Sequence, residues 1–142
     1  MNEYCFEDIQ IGKTESFQKK ITVEMENSFR EITGDTNPLH WDDAFAIEVG
    51  NGKFKSHVSF GMLTASFYST LAGKYLPGKY SLIHSIDNLS FKKPVFVGDV
   101  LTVTGTVKEK YDDLKLICVS VTVTNQDEKV VSKADMKILV QK

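Results

Sequence analysis

From Leu101 onward the chain alternates. Leu101, Val103 and Val107 are interleaved with Thr102, Thr104 and Thr106, then Ile117, Val119, Val121 and Val123 with Cys118, Ser120, Thr122 and Thr124. Ala134, Met136, Ile138 and Val140 repeat the pattern against Lys133, Asp135 and Lys137. A period of two sends successive side chains to opposite faces, so each run predicts a strand with one buried and one wetter face. Tyr111-Asp112-Asp113 and Asn125-Gln126-Asp127 are the turns between them. Residues 80–91 form a further extended run whose parity slips near Asp87-Asn88, which predicts a bulge. Lys13 to Thr22 reads as a first strand.

The first half carries helical spacing instead. Thr22 is a good N-cap for VEMENSFREIT, where Met25, Phe29 and Ile32 share one face. From Gly61 to Tyr75, apolar residues Met62, Leu63, Phe67, Tyr68, Leu71 and Tyr75 cover most of a helix's circumference, which predicts a longer helix buried on nearly all sides. Pro77 ends it, because proline cannot continue a helix from within. One strand, then helices, then a four-stranded antiparallel sheet around a long central helix is an α+β architecture.

At 142 residues the chain is one domain spanning 1–142, with no repeat, low-complexity block or linker to divide it. Seventeen basic against nineteen acidic residues give no field that would attract nucleic acid. The acidic start MNEYCFEDIQ has neither the basic nor the apolar region of a signal peptide, so a cytoplasmic location is expected. Cys5 and Cys118 then read as reduced thiols rather than a disulfide. The uncharged stretch from Ser56 to Gly73 carries too many hydroxyls and glycines for a membrane span, and no membrane association is expected. No P-loop, GxGxxG, GxSxG or zinc motif is present.

Between the two helices lies ITGDTNPLHWDDAFA, residues 32–46. Pro38 pushes Asn37 out of the helical region, and Asp35 and Asn37 can each bond nearby amides, so the segment is stiff. Two readings fit it. Asp35 and Asn37 merely cap the next helix while His40 is packed, or a carboxylate and an imidazole on one rigid loop move protons near neutral pH.

GDTNPLHWDDAFA closely resembles the G-D-x-N-P-[LIV]-H loop of the MaoC-like (R)-specific enoyl-CoA hydratases. FGMLTASFYSTLAGKYLPGK resembles that family's central helix and following turn, and NLSFKKPVFVGDVLTV its F-K-x-P-V-x-x-G-D-x-[LV] strand pair. The resemblance implies a hotdog fold, with a helix wrapped by a curved antiparallel sheet. It assigns Asp35 and His40 to the catalytic dyad, Asn37 to its orientation, and the Gly61 N–H to the oxyanion site. Ser66 falls beside the catalytic aspartate, and Phe60 and Met62 flank Gly61 at the substrate. Many relatives have His-Gly-Met where this chain has Phe60-Gly61-Met62, so the polar support there must differ. His57 is a possible replacement and otherwise a structural histidine.

The implied reaction is hydration of a 2-enoyl thioester to the (R)-3-hydroxyacyl thioester, or its reverse. The substrate is carried on coenzyme A or an acyl-carrier protein, and no cofactor is needed. Lys53, Lys55, Lys92 and Lys93 are candidate phosphate partners or plain surface. Phe45, Leu63, Phe67 and Tyr68 either line an acyl tunnel or fill the core, and Trp41 is placed to shield the dyad. A hotdog thioesterase and a non-catalytic acyl-thioester-binding module are the rival readings. The family also implies a homodimer in which two copies complete one sheet and the acyl arm threads between them.

Overall fold

The alternating runs do form strands. The computed structural model describes residues 1–142. Its strands are β1 (Thr14–Lys20), β2 (Ser81–Phe91), β3 (Val100–Tyr111), β4 (Leu116–Thr124) and β5 (Val130–Val140). All pair antiparallel in the spatial order β1-β3-β4-β5-β2. The expected four-stranded sheet therefore has five strands, because β1 adds to the edge beside β3 rather than standing apart. β2 slips register between Asp87 and Ser90, where Asn88 takes φ 55°, and again between Ile83 and Ser85. It forms the second edge, with Leu82 and Ile86 exposed.

Three helices lie between β1 and β2: α1 (Val23–Thr33), α2 (Asp43–Gly50) and α3 (Gly61–Thr70). Thr22 caps α1 by accepting the Met25 N–H at 3.2 Å. The apolar face of α1 is narrower than its spacing predicts, since Met25 and Phe29 pack on the core while Ile32 is 82% exposed. α2 was not legible: Phe45, Ile47 and Val49 alternate like a strand, yet only Ala46 and Gly50, one turn apart, are buried.

The central helix is α-helical only to Thr70. It then widens into a π-helical turn, Leu71–Tyr75, closed by the Leu76 N–H donating to the Leu71 carbonyl at 2.8 Å. Nor is it buried all round, as Met62, Ser66, Ser69 and Thr70 reach the surface. Leu63, Phe67, Tyr68 and Leu71 face the sheet and meet Leu101, Val103, Val119, Val121, Met136 and Ile138 in one core. Gly105 on β3 lets the π-helical turn approach closely, since a Cβ there would lie 2.5 Å from Leu71 Cδ2. Tyr68 is fully buried, and its hydroxyl is satisfied by Ser132 Oγ at 2.6 Å. No helix is long and apolar enough to cross a membrane.

Candidate active site

α1 stops one residue before Asp35. Gly34 adopts φ 73°, a left-handed conformation that glycine takes without a Cβ penalty, and its N–H donates to the Arg30 carbonyl at 2.8 Å. Side chains then replace regular backbone pairing. Thr33 Oγ1 accepts the Asp35 N–H at 3.2 Å, Asp35 Oδ1 accepts the Asn37 N–H at 3.0 Å, and Asn37 Oδ1 accepts the Leu39 N–H at 3.0 Å. Each oxygen serves the amide two residues on, the Asx and Ser/Thr turn pattern. Asn37 thereby caps a one-turn 3₁₀-helix, Pro38–His40, and Asp42 caps α2 through the Phe45 N–H at 3.1 Å. Trp41 donates its Nε1–H to the Thr36 carbonyl at 3.0 Å, closing a further bond across the loop.

This frame brings Asp35 and His40 to one cleft of about 250 Å³, together with Phe29, Phe60, Gly61 and Met62. Asp35 Oδ1 is engaged by the Asn37 amide, which leaves Oδ2 free. His40 Nδ1 lies 2.7 Å from the Val58 carbonyl. A carbonyl only accepts, so Nδ1 carries the proton, and Nε2 of the neutral ring is the acceptor. The Val58 N–H returns to the Leu39 carbonyl at 2.9 Å, so one residue fixes both the loop and the ring.

The Phe60 side chain provides no hydrogen bond. Its ring lies 4.2 Å from the imidazole centroid, tilted by 30°, with Phe29 on it at 5.1 Å. Aromatic packing thus restrains His40 from this side, in keeping with the expectation that polar support here must differ. His57 makes no hydrogen bond to the dyad. Its Nδ1 lies 2.6 Å from Asp43 Oδ1 and its Nε2 3.0 Å from Glu26 Oε2. Partial burial opposes the charged ring, but the bonds to Asp43 and Glu26 outweigh it and hold the imidazole above its ordinary value. The Asp43 carboxyl is held below its ordinary value by the His57 backbone N–H and then by the ring.

Gly61 is the first residue of α3, and its N–H has no acceptor within the chain. Gly61 and His40 also line a second cleft of about 320 Å³ that runs to Phe91, Lys92 and Lys93. Of the four candidate lysines, only Lys92 and Lys93 border this cleft, while Lys55 lies over the Phe96 ring at 4.9 Å. Ser59 and Thr64 line the same cleft with buried, unpartnered hydroxyls. No sequence spacing pointed to them, because a hydroxyl in an apolar run reads as filler.

Ser66 lies outside the cleft that holds Asp35. Its hydroxyl donates to the Leu63 carbonyl at 2.6 Å, and it lines a neighbouring groove of about 540 Å³ with Met25, Phe29, Ile32 and Leu63. Phe67 and Tyr68 are core residues, and Phe45 is on the surface of α2. Asp99, from the GD of the third motif, is buried and accepts the Phe96 N–H and Gln126 Nε2, each at 3.0 Å, so its role is to hold a turn.

Known proteins resemble this chain in sequence and in fold. The chain is 34% identical over 137 residues to an (R)-specific enoyl-CoA hydratase from Rhodospirillum rubrum, covering 96% of this chain and 92% of that protein. It is 33% identical over 125 residues to a 3-hydroxybutyryl-CoA dehydratase from Methylorubrum extorquens, covering 88% and 77%. The fold superposes on the (R)-hydratase from Aeromonas caviae involved in PHA biosynthesis with a TM-score of 0.85 and 30% identity, covering 93% and 97% of the two chains. The family model described as MaoC like domain matches residues 8–129, and this chain, with its hotdog sheet and helix, belongs to that family.

Proposed function

We propose that this protein is a hydro-lyase that adds water to a 2-enoyl thioester, giving the (R)-3-hydroxyacyl thioester, or catalyses the reverse dehydration. The observation that carries the reading is the meeting of Asp35, with one oxygen free, and His40, with Nε2 free, in one cleft at the start of α3. A water held between them loses a proton to this pair as its oxygen attacks C3. The pair then delivers a proton to C2 on the same side. Such positioned acid–base help is worth about 10²–10⁴ in rate. As the C3–O bond forms, negative charge collects on the thioester oxygen. The free Gly61 N–H, at the positive end of α3, supplies a preorganised donor for it. Water and protons balance the reaction, and no electrons pass to an acceptor.

The groove beside Ser66 suits the acyl chain. The cleft bordered by Lys92 and Lys93 suits the phosphate-bearing arm of coenzyme A or an acyl carrier. Asn37 orients the dyad by capping its turn, and Phe60 and Met62 form the wall against the substrate. The open β2 edge, with Leu82 and Ile86 exposed, is the surface through which two copies would extend one sheet. The unpaired Cys5 and Cys118 suit a reducing cytoplasm.

The test is loss of the conjugated thioester absorbance with crotonyl-CoA and longer enoyl-CoAs. Turnover is expected in the wild type, with a loss of about 10²–10⁴ in Asp35→Asn and His40→Ala. Release of free thiol instead would indicate a thioesterase, and absence of turnover across chain lengths and carriers would refute the enzymatic reading. A monomer with full activity would exclude the paired assembly.

A further inference from the structure

Of the three histidines, His57 is the one tied to two carboxylates, and these come from the two helices that bracket the catalytic loop. Glu26 lies on α1, whose end at Thr33 leads into Gly34-Asp35. Asp43 is the first residue of α2, three positions after His40. The ring joins them through Nε2 to Glu26 at 3.0 Å and Nδ1 to Asp43 at 2.6 Å, and the His57 N–H adds a second bond to Asp43 at 2.9 Å. An ionised carboxylate only accepts, so with both carboxylates charged the two ring nitrogens both donate, as an imidazolium does. Glu26 is 2% exposed, its second oxygen has no partner in the chain, and His57 is the one side chain bonded to its carboxylate.

The following residues carry this anchorage to the site. The Val58 N–H donates to the Leu39 carbonyl at 2.9 Å, and the Val58 carbonyl accepts the Nδ1–H of His40 at 2.7 Å. The Ser59 N–H donates to the Val95 carbonyl at 2.7 Å, fixing the far side of the segment. Three consecutive residues thus bind α1 and α2, the catalytic loop and the strap before β3. The carbonyl that selects the tautomer of His40 is one residue from the clamp.

We propose that His57, clamped between Glu26 and Asp43, is a positioning residue for the proposed reaction: it holds α1 and α2 at the spacing that sets the orientation and tautomer of His40. The inference rests on the reading of Asp35 and His40 as the reacting pair. A salt bridge that served folding alone would lower stability when broken and leave the His40 ring as it was. A positioning clamp alters the ring itself, and small displacements of a reacting group are costly in rate, up to about 10²-fold for an ångström.

The test uses His57→Ala and the double variant Glu26→Gln/His57→Ala, the second of which removes the buried carboxylate that the first leaves unpaired. Each is examined below its unfolding temperature by ¹⁵N imidazole NMR, where three histidines are readily assigned, and by turnover of crotonyl-CoA. In the wild type, His40 is expected to show the Nδ1–H form. In the variants it shifts towards the Nε2–H form of a free imidazole, with kcat lower by about 10–100-fold and KM within about twofold. A folded variant that keeps the wild-type His40 spectrum and kcat overturns the proposal. If His57→Ala does not fold, the double variant decides by the same criteria. A wild type without hydratase turnover defeats the reading of the reaction, and the His40 spectrum then still decides whether the clamp sets the tautomer.

Discussion

Gly105 gives a quantitative test of how the central helix is seated. It lies in mid-β3, opposite Val121 of β4 and Glu15 of β1, beneath Leu71. In Gly105→Ala the new Cβ would stand 2.5 Å from Leu71 Cδ2 and 3.0 Å from Val119 Cγ1. Carbon atoms pack best at about 3.5–4.0 Å, so the overlap with Leu71 is on the order of 1 Å. Leu71 is 0% exposed and Val119 1%, so neither can turn into solvent. Overpacking of this kind costs roughly 1–3 kcal/mol. With a urea m-value of about 1–3 kcal/mol/M, a 2 kcal/mol loss moves the midpoint by around 1 M.

Leu71→Ala alone should cost about 2–5 kcal/mol by leaving a cavity. It also removes the atoms that Gly105→Ala would strike. The double variant should therefore be less destabilised than the sum of the singles, by about 1 kcal/mol or more. Urea unfolding of all four proteins at one concentration measures the cycle. An unchanged midpoint for Gly105→Ala, or strictly additive losses, would refute the seating of Leu71 on the bare strand.

Three other expectations concern the site and its supports. Gly61→Pro deletes the proposed oxyanion donor at a first-turn position where proline is tolerated, and the extended Phe60 before it, ψ 124°, accommodates proline. Crotonyl-CoA turnover should fall by about 10²–10³, whereas Gly61→Ala keeps the N–H and only presses its Cβ to 3.3 Å from the Phe91 ring; equal losses in the two variants would remove the donor from the mechanism. The stabilisation from His57 should be complete below its ordinary value of 6.5 and disappear as pH rises through its raised folded value; that from Asp43 should be complete above 3.8 and fade as pH falls through its lowered one. Urea midpoints against pH should show the alkaline loss flattened in His57→Gln, and an unaltered profile would count against the clamp. Thr22→Ala should cost about 1 kcal/mol by removing the α1 cap, measured as a lower thermal midpoint with turnover retained.

The strands of the C-terminal third were legible because each buries one face, which writes a period of two into the sequence. The slip at Asp87-Asn88 showed for the same reason, and it is a real register shift. α2 was hidden because it buries only two small residues, so its larger apolar residues impose no helical stripe. The expectation that the central helix is buried on nearly all sides has a similar origin, since a composition rich in apolar residues does not say which side meets solvent.

At the site, Asp35, Asn37 and His40 could be found from residue type and spacing. The Val58 carbonyl could not, because any residue supplies one. The roles of Phe60 against the imidazole and of His57 between α1 and α2 depend on contacts between segments far apart in the chain, which no local pattern encodes.

The ladder of side-chain oxygens from Thr33 to Leu39 separates two inheritances within one protein. The turns that carry Asp35 are closed by side-chain oxygens within seven consecutive residues, whereas the walls around them come from α1, α3 and the strap before β3. Substitutions at Phe29, Met62, Phe91 or Lys92 can reshape the chamber without altering any hydrogen bond of the ladder. On the proposed reading, the turns around Asp35 are thus uncoupled from the shape of the acyl chamber. A lineage of such hydratases could then drift from one thioester to another through its walls while the Asp35 turns are passed on intact.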